Sequence, residues 1–353
     1  MKILLTGGGT LGSVSPLIAI YEQAKKTNKN WDWFWVGTRT GVERKVIESM
    51  KIQYEWVPTA KLRRYFSFKT ILDPFFLIIA FLRSLLVIST VKPDVIIGAG
   101  SFVSVPVIWA GWVFRKKIII HQQDIRPTLS NKLCSWCASK ITVSFEKSLS
   151  DYPKEKTEWI GNPVRDALLG ANADIAREKF GFRSDQPIIL ITGGSSGSKA
   201  LNEWVWKNLG ALCAQFQILH LTGKDKSSPN IKHENYHQIE FLGGDMFHAL
   251  ALADMVISRA GISIITELSF LGKVAVIIPL PGTHQEDNAF FVEEAHAGIV
   301  YRQDKLDSHV ARDIVNLLHS QDERTRLSRA ISGLMKKGGR EQMIEIISEY
   351  ESK

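Results

Sequence analysis

Short apolar runs alternate with helix-like stretches along most of the chain. Lys2–Thr6, Trp31–Val36, Asp94–Ile97 and Lys117–His121 are mostly apolar at odd and even positions alike, and this first set ends near Ile141–Phe145. Pro187–Thr192, Gln217–Thr222, Met255–Ile257 and Val274–Pro279 repeat the pattern further on. Strands that are apolar on both faces belong to parallel sheets covered by helices. Their alternation with helical segments predicts an α/β architecture. The pattern runs twice. The break falls at Trp159–Arg165, where Gly161 and Pro163 turn the chain, just after the charged stretch Asp151–Glu158. The expectation is two doubly wound parallel-sheet domains, 1–162 and 163–337, facing a central cleft. Ligands should sit at the carboxyl ends of the strands.

Pro74–Ile88 departs from the amphipathic pattern, being apolar all round except at Arg83. It is shorter than the roughly 20 residues that span a bilayer. It predicts either a buried core helix or a helix that turns an apolar face to lipid. Arg63, Arg64 and Lys69, interleaved with Tyr65, Phe66 and Phe68, favour the second reading.

Length and composition fit this picture. A chain of 353 residues suggests two domains, and 45% apolar with 23% charged residues excludes a disordered or collagen-like chain. Lys and Arg exceed Asp and Glu by 44 to 36, a formal charge of +8 that points to an anionic partner. Cys134, Cys137 and Cys213 are too few for a disulfide framework, and the Cys134–Cys137 pair lacks the second pair of a zinc site. A reducing compartment is expected. The start of the chain lacks the apolar core of a signal peptide, since glycines follow Ile3–Leu5.

Three glycine turns carry the candidate chemistry. Thr6-Gly7-Gly8-Gly9-Thr10-Leu11-Gly12-Ser13 follows the first strand, with a helix expected from Pro16. Glycines let a ligand approach the backbone, and a helix start offers unpaired N–H groups. No Lys completes a P-loop, and Trp35-Val36-Gly37 stands where a dinucleotide fold places its acid. A nicotinamide enzyme is therefore disfavoured. Gly193-Gly194-Ser195-Ser196-Gly197-Ser198, with Lys199 and Asn202 following, suits a pyrophosphate. The third turn, Arg259–Glu267, places Glu267 where a carboxylate can accept both ribose hydroxyls. The loop Pro279–Ala289 offers amides for sugar hydroxyls, and its His284, Glu286 and Asp287 match no standard metal site.

The ordered set of motifs resembles the MurG family, the membrane-associated N-acetylglucosaminyltransferases of peptidoglycan synthesis. The resemblance runs nearly end to end through Gly8–Gly12, Gly98–Pro106, His121–Asp124, Asn131-Lys132, Gly161–Arg165, Gly193–Gly197, Ser258–Gly261 and Gln285–Ala289. It implies a GT-B fold of two Rossmann-like domains, with a C-terminal helix, about 338–353, returning to the first. It implies inverting transfer from UDP-N-acetylglucosamine to the muramoyl 4-hydroxyl of undecaprenyl-pyrophosphoryl-muramoyl-pentapeptide, with no cofactor and no active-site metal. Donor contacts carry over to Thr10, Leu11, Gly12, Asp124, Arg165, Ser195, Ile262, Ser263, Ile264, Ile265, Thr266, Glu267 and Gln285. A backbone contact from a strand near Leu242 would seat the uracil. Gly8 and Gly9 would lie beside the acceptor diphosphate. Arg63, Arg64, Phe75, Phe76, Ile79 and Leu82 would meet an anionic membrane surface on its cytoplasmic face. Arg165 would set a permanent charge against the leaving diphosphate.

Two departures touch the chemistry. The family's first loop reads Gly-Gly-Thr-Gly-Gly-His, where this chain has Leu11 and Ser13 at the second glycine and the histidine. The family's His-Glu-Gln-Asn becomes His121-Gln122-Gln123-Asp124. Ser13 cannot act as a base at neutral pH, so Asp124 becomes the candidate base, with Ser13 and Arg165 beside it in the catalytic set. A UDP-N-acetylglucosamine 2-epimerase, a transferase with a different or lost acceptor activity, and a non-catalytic nucleotide-binding partner at the membrane are the alternatives. Nucleic-acid binding has no supporting motif.

Overall fold

The computed structural model describes residues 1–58, 73–194 and 196–351. Arg63, Arg64, Lys69 and Ser195 lie outside them. The chain divides into two compact units, Met1–Asp166 with Lys336–Lys353, and Ala167–Met335.

The first unit is built on a seven-stranded sheet in the order β3-β2-β1-β4-β5-β6-β7. The strands are β1 (Lys2–Thr6), β2 (Asp32–Gly37), β3 (Gln53–Trp56), β4 (Val95–Gly98), β5 (Lys117–Gln122), β6 (Lys140–Val143) and β7 (Thr157–Trp159). All pairings are parallel, with Leu4 opposite Phe34 on one side and Ile96 on the other. Successive residues feed opposite cores. Ile3 and Leu5 pack with Trp33, Trp35 and Ile97 against α1 (Leu11–Lys26) and the C-terminal helix Gly339–Ser348. Leu4 and Ile96 pack on the other face with Ala80 and Ile88 of α3 (Asp73–Val91) and Ile108 of α4 (Ser104–Val113). The C-terminal helix contributes Met343, Ile344, Ile346 and Ile347 to the first core. Its approach depends on Gly161, which has φ +81° and faces the Lys336 carbonyl so closely that a Cβ would lie 2.0 Å from that oxygen.

The second unit has a six-stranded parallel sheet in the order β10-β9-β8-β11-β12-β13. Its strands are β8 (Ile188–Thr192), β9 (Gln217–Leu221), β10 (Tyr236–Ile239), β11 (Met255–Ser258), β12 (Val274–Ile277) and β13 (Ile299–Val300). Ile189, Ile191, Ile218 and Ile257 pack under Leu201, Trp204 and Val205 of the helix Lys199–Lys207. In each sheet the order reverses between two strands, β1/β4 in the first and β8/β11 in the second. Such reversals open a crevice at the carboxyl edge.

One expectation is corrected. α1 begins at Leu11, not at Pro16, because Thr10 is extended and its hydroxyl accepts from the Ser13 N–H at 3.4 Å, capping the helix early. Pro16 lies inside the helix. The strand near Leu242 is β10, which ends at Ile239, and Leu242 opens the 3-10 turn Gly243–Asp245.

Candidate active site

In the first unit the loops after β1, β4 and β5 are tied to one another. The Gln123 amide donates to the Ser13 carbonyl at 3.2 Å and the Ala99 carbonyl at 3.0 Å. Ser101 donates to the Gly8 carbonyl at 2.8 Å and accepts from the Gly8 N–H at 3.2 Å. The Ser13 hydroxyl donates within its own loop, to the carbonyls of Thr10 at 3.0 Å and Gly8 at 3.3 Å. It is thus a structural tie where the family carries an imidazole. Asp124, half-buried, follows Gln123 on the β5 loop.

His121 is not a substitute base. It is fully buried, with Nδ1 3.0 Å from the Thr142 hydroxyl and Nε2 3.1 Å from the Asn162 side-chain oxygen. Burial pushes the imidazole down to about 4. Gln122 is buried as well, its amide donating to Asp151 at 3.2 Å and its oxygen accepting from Tyr152.

A residue the sequence reading missed is Glu43, in the first turn of α2 (Val42–Ser49) and fully buried. Its Oε1 accepts from the Thr38 N–H at 2.9 Å and from the Thr38 hydroxyl, and its Oε2 accepts from the Gly9 N–H at 3.2 Å. A Cβ on Gly8 would meet this carboxylate at 2.4 Å, which explains the glycine there. The acid sought at the end of β2 thus stands six residues beyond Gly37 and serves the glycine loop. Glu43→Ala should cost the first unit about 2–4 kcal/mol, because two backbone donors lose their acceptor. Urea unfolding followed by tryptophan fluorescence measures this; a loss below about 1 kcal/mol would show that water replaces the carboxylate.

Arg165 is ion-paired within the first unit. Its Nε and NH2 donate to Glu22 Oε1 at 3.3 and 3.2 Å, and Glu22 Oε2 accepts from the Asp166 N–H at 2.7 Å. Its charge is therefore already matched within the first unit.

In the second unit the loops flanking the β8/β11 reversal converge. Gly197 has φ +66°, Gly223 φ +89°, and a Cβ on Gly197 would lie 2.0 Å from the Thr222 carbonyl. Ser198 caps the helix Lys199–Lys207. Asn202, 1% exposed, is committed to the Thr222 carbonyl at 3.0 Å and to His220 at 3.1 Å, so it cannot reach a ligand. Lys199 is exposed. The helix Ile262–Leu271 has no side-chain cap on its N-terminus. The N–H groups of Ile262, Ser263 and Ile264 therefore face the carboxyl edge of β11 as a ready anion site. Ile265 and Thr266 are buried, the Ile265 N–H is bonded to the Gly261 carbonyl, and the Thr266 hydroxyl donates back to Ile262. Ser263 and Glu267 are the partly exposed pair one turn apart. Gln285 starts the helix Gln285–Glu294, and its Oε1 accepts from the Leu280 N–H at 3.0 Å. Among the described residues no group of three or more His, Cys, Asp or Glu side chains could hold a metal, and all three cysteines are free and buried.

The apolar helix is not a core helix. α3 buries Ala80, Ser84 and Ile88 and leaves a stripe of Phe75, Phe76, Ile78, Leu82 and Leu86 exposed, the last by 69%. Ile79 is half-buried. Trp112, Val113 and Phe114 at the end of α4 are also exposed, and Trp112 meets exposed Trp136 edge-on at 4.9 Å. Arg83, the one basic residue on this helix, is half-buried. Its guanidinium stacks 3.7 Å above Trp56 and lies 3.8 Å from Glu55.

Two parallel-sheet α/β units, each with a glycine turn at its strand reversal, are of the class that binds nucleotides at the carboxyl edge of the sheet. The glycosyltransferase family 28 N-terminal domain matches residues 3–143 and the family 28 C-terminal domain residues 188–343. The chain is 37% identical over 91% of its length, and 92% of the relative's, to UDP-N-acetylglucosamine--N-acetylmuramyl-(pentapeptide) pyrophosphoryl-undecaprenol N-acetylglucosamine transferase 3 of Bacillus thuringiensis (strain Al Hakam). The crystal structure of Acinetobacter baumannii MurG matches with TM-score 0.75 and 23% identity, covering 99% of both chains. The UDP-GlcNAc 2-epimerase of Neisseria meningitidis matches with TM-score 0.71 and 15% identity, over 99% of this chain and 100% of the other, a likeness of fold alone. The chain belongs to the MurG family of glycosyltransferases.

Proposed function

We propose that the protein transfers N-acetylglucosamine from UDP-N-acetylglucosamine to the muramoyl 4-hydroxyl of an undecaprenyl-pyrophosphoryl-muramoyl-pentapeptide, with inversion at the anomeric carbon. One observation carries the reading: the kinship with transferases named for this reaction extends over nine-tenths of the chain. The epimerase reading rests on a likeness of fold at 15% identity and gives no reason for an exposed apolar stripe. In the transfer, the acceptor oxygen bonds to C1 as the C1–O bond to the β-phosphate breaks. The electron pair goes to the leaving UDP, and the hydroxyl proton goes to Asp124. The second unit holds the donor, with the uncapped start at Ile262–Ile264 facing the diphosphate, Glu267 the ribose and Gln285 the sugar. Gly8, Gly9, Thr10, Leu11 and Gly12 form the loop nearest the reacting groups. No cofactor or metal is required, because UDP is already a good leaving group whose charge backbone N–H groups can stabilise.

Incubation with labelled UDP-N-acetylglucosamine and the lipid-linked muramoyl acceptor should yield labelled lipid. Labelled N-acetylmannosamine would instead identify an epimerase. Neither product would leave a nucleotide-binding partner.

The membrane reading rests on α3. No helix among the described residues is long and apolar enough to cross a bilayer. An exposed apolar stripe beside an aromatic pair suits peripheral contact with an anionic surface on the cytoplasmic face. Replacing Leu82 and Leu86 by Gln should weaken flotation with anionic vesicles at least tenfold, since each buried leucine contributes about 1.5–3 kcal/mol. UDP binding should stay unchanged. Undiminished flotation would place the contact elsewhere.

A further inference from the structure

A second fixed positive charge stands in the second unit, apart from Arg165. Arg259 is the first residue after β11, at the strand reversal, and only 8% exposed. Its NH1 donates to the carbonyls of Ile278 and Pro279, both at 3.1 Å. Its NH2 donates to the Ser198 hydroxyl and, at 2.6 Å, to Gln303 Oε1. Every one of these acceptors is neutral, and no carboxylate pairs with it among the described residues. A buried charge without a counter-charge is costly, and natural structures rarely keep one without a reason. Burial holds the guanidinium below its ordinary pKa, yet arginine stays charged.

The neighbours say what that reason is. Ser198 closes the Gly193–Gly197 turn and caps the following helix, its oxygen accepting from the Leu201 N–H at 3.3 Å. Ile278 and Pro279 lead into the loop that ends at Gln285. Arg259 itself precedes the uncapped helix start at Ile262 by three residues. One guanidinium therefore joins three of the turns assigned to the donor and leaves its charge unspent beneath them.

We propose that Arg259 is the resident cation of the donor diphosphate site, a positioning residue that holds the three loops together and whose uncompensated charge is matched only when a nucleoside diphosphate binds. This rests on the donor reading above and adds the source of its charge selectivity. The same charge would favour departure of UDP as negative charge grows on the β-phosphate.

The test compares UDP with uridine, which share the base and ribose and differ in the diphosphate. Calorimetric titration of the full chain should show Arg259→Met weakening UDP about tenfold or more while uridine changes less than about threefold, since about 1.4 kcal/mol is tenfold. Arg259→Lys keeps the charge but loses part of the fork. Its ratio of UDP to uridine affinity should stay within about threefold of the wild type, which keeps the proposal testable if the Met variant does not fold. Equal weakening of both ligands would mean a purely structural clamp and overturn the proposal, as would a Lys variant whose ratio collapses. A wild-type chain that binds no UDP would refute the donor reading itself.

Discussion

With Asp124 as the base proposed above, Asp124→Asn should lower turnover at saturating donor by about 10²–10⁴-fold, with UDP affinity changed little, because a general base contributes a factor of that order. The acceptor hydroxyl has a pKa far above neutrality and must lose its proton as the new bond forms. Several other polar groups near the carboxyl edge of the first sheet are poorly suited to take it. Ser13 donates to two loop carbonyls. His121 is buried and holds its proton only near pH 4 and below. Gln122 and Gln123 are amides, and Glu43 is fully buried under Gly9. Initial rates of labelled lipid formation measure the effect. A fall below tenfold would remove Asp124 from the role. If Asp124 compensates for the missing imidazole, the double variant Ser13→His, Asp124→Asn should recover part of the loss.

Gly197→Ala should cost the second unit about 2–4 kcal/mol and weaken UDP binding more than tenfold. Left-handed backbone at an alanine costs about 1–2 kcal/mol by itself. The added Cβ would also lie 2.0 Å from the Thr222 carbonyl and close to Gly223, whose backbone has no slack to yield. Relief requires the β8 and β9 loops to part, which displaces Ser198 and the contacts it makes. Urea unfolding and UDP titration on the same variant measure both effects. Wild-type values in both would mean that the turn relaxes without moving the loops.

The sequence was legible where burial is two-sided. β1, β2, β4 and β5, and in the second half β8, β9, β11 and β12, lie inside the sheets, and their apolar runs announce them. β3, β7, β10 and β13 went unread. All four are edge strands, with residues such as Gln53, Glu55, His237 and Gln238 facing partly outward. Such strands lack a continuous apolar run. The glycine turns were legible because positive φ and close backbone approach select glycine strongly. Partners of charged residues were not. Arg165 and Arg259 look alike as letters; only the fold sets Glu22 beside the first and neutral oxygens around the second. Glu43 was hidden for the same reason, since nothing local in Val42–Ser49 says that its carboxylate reaches back to Gly9.

That reach has a further consequence. A run of three glycines, Gly7–Gly9, is among the floppiest sequences a chain can hold, and fixing each backbone costs roughly 1–2 kcal/mol in lost freedom. Here Ser101 holds the N–H of Gly8 and Glu43 that of Gly9. Part of that ordering is completed when the first unit folds, so a ligand at this loop, the acceptor in the function proposed above, would spend less of its interaction energy on fixing the backbone.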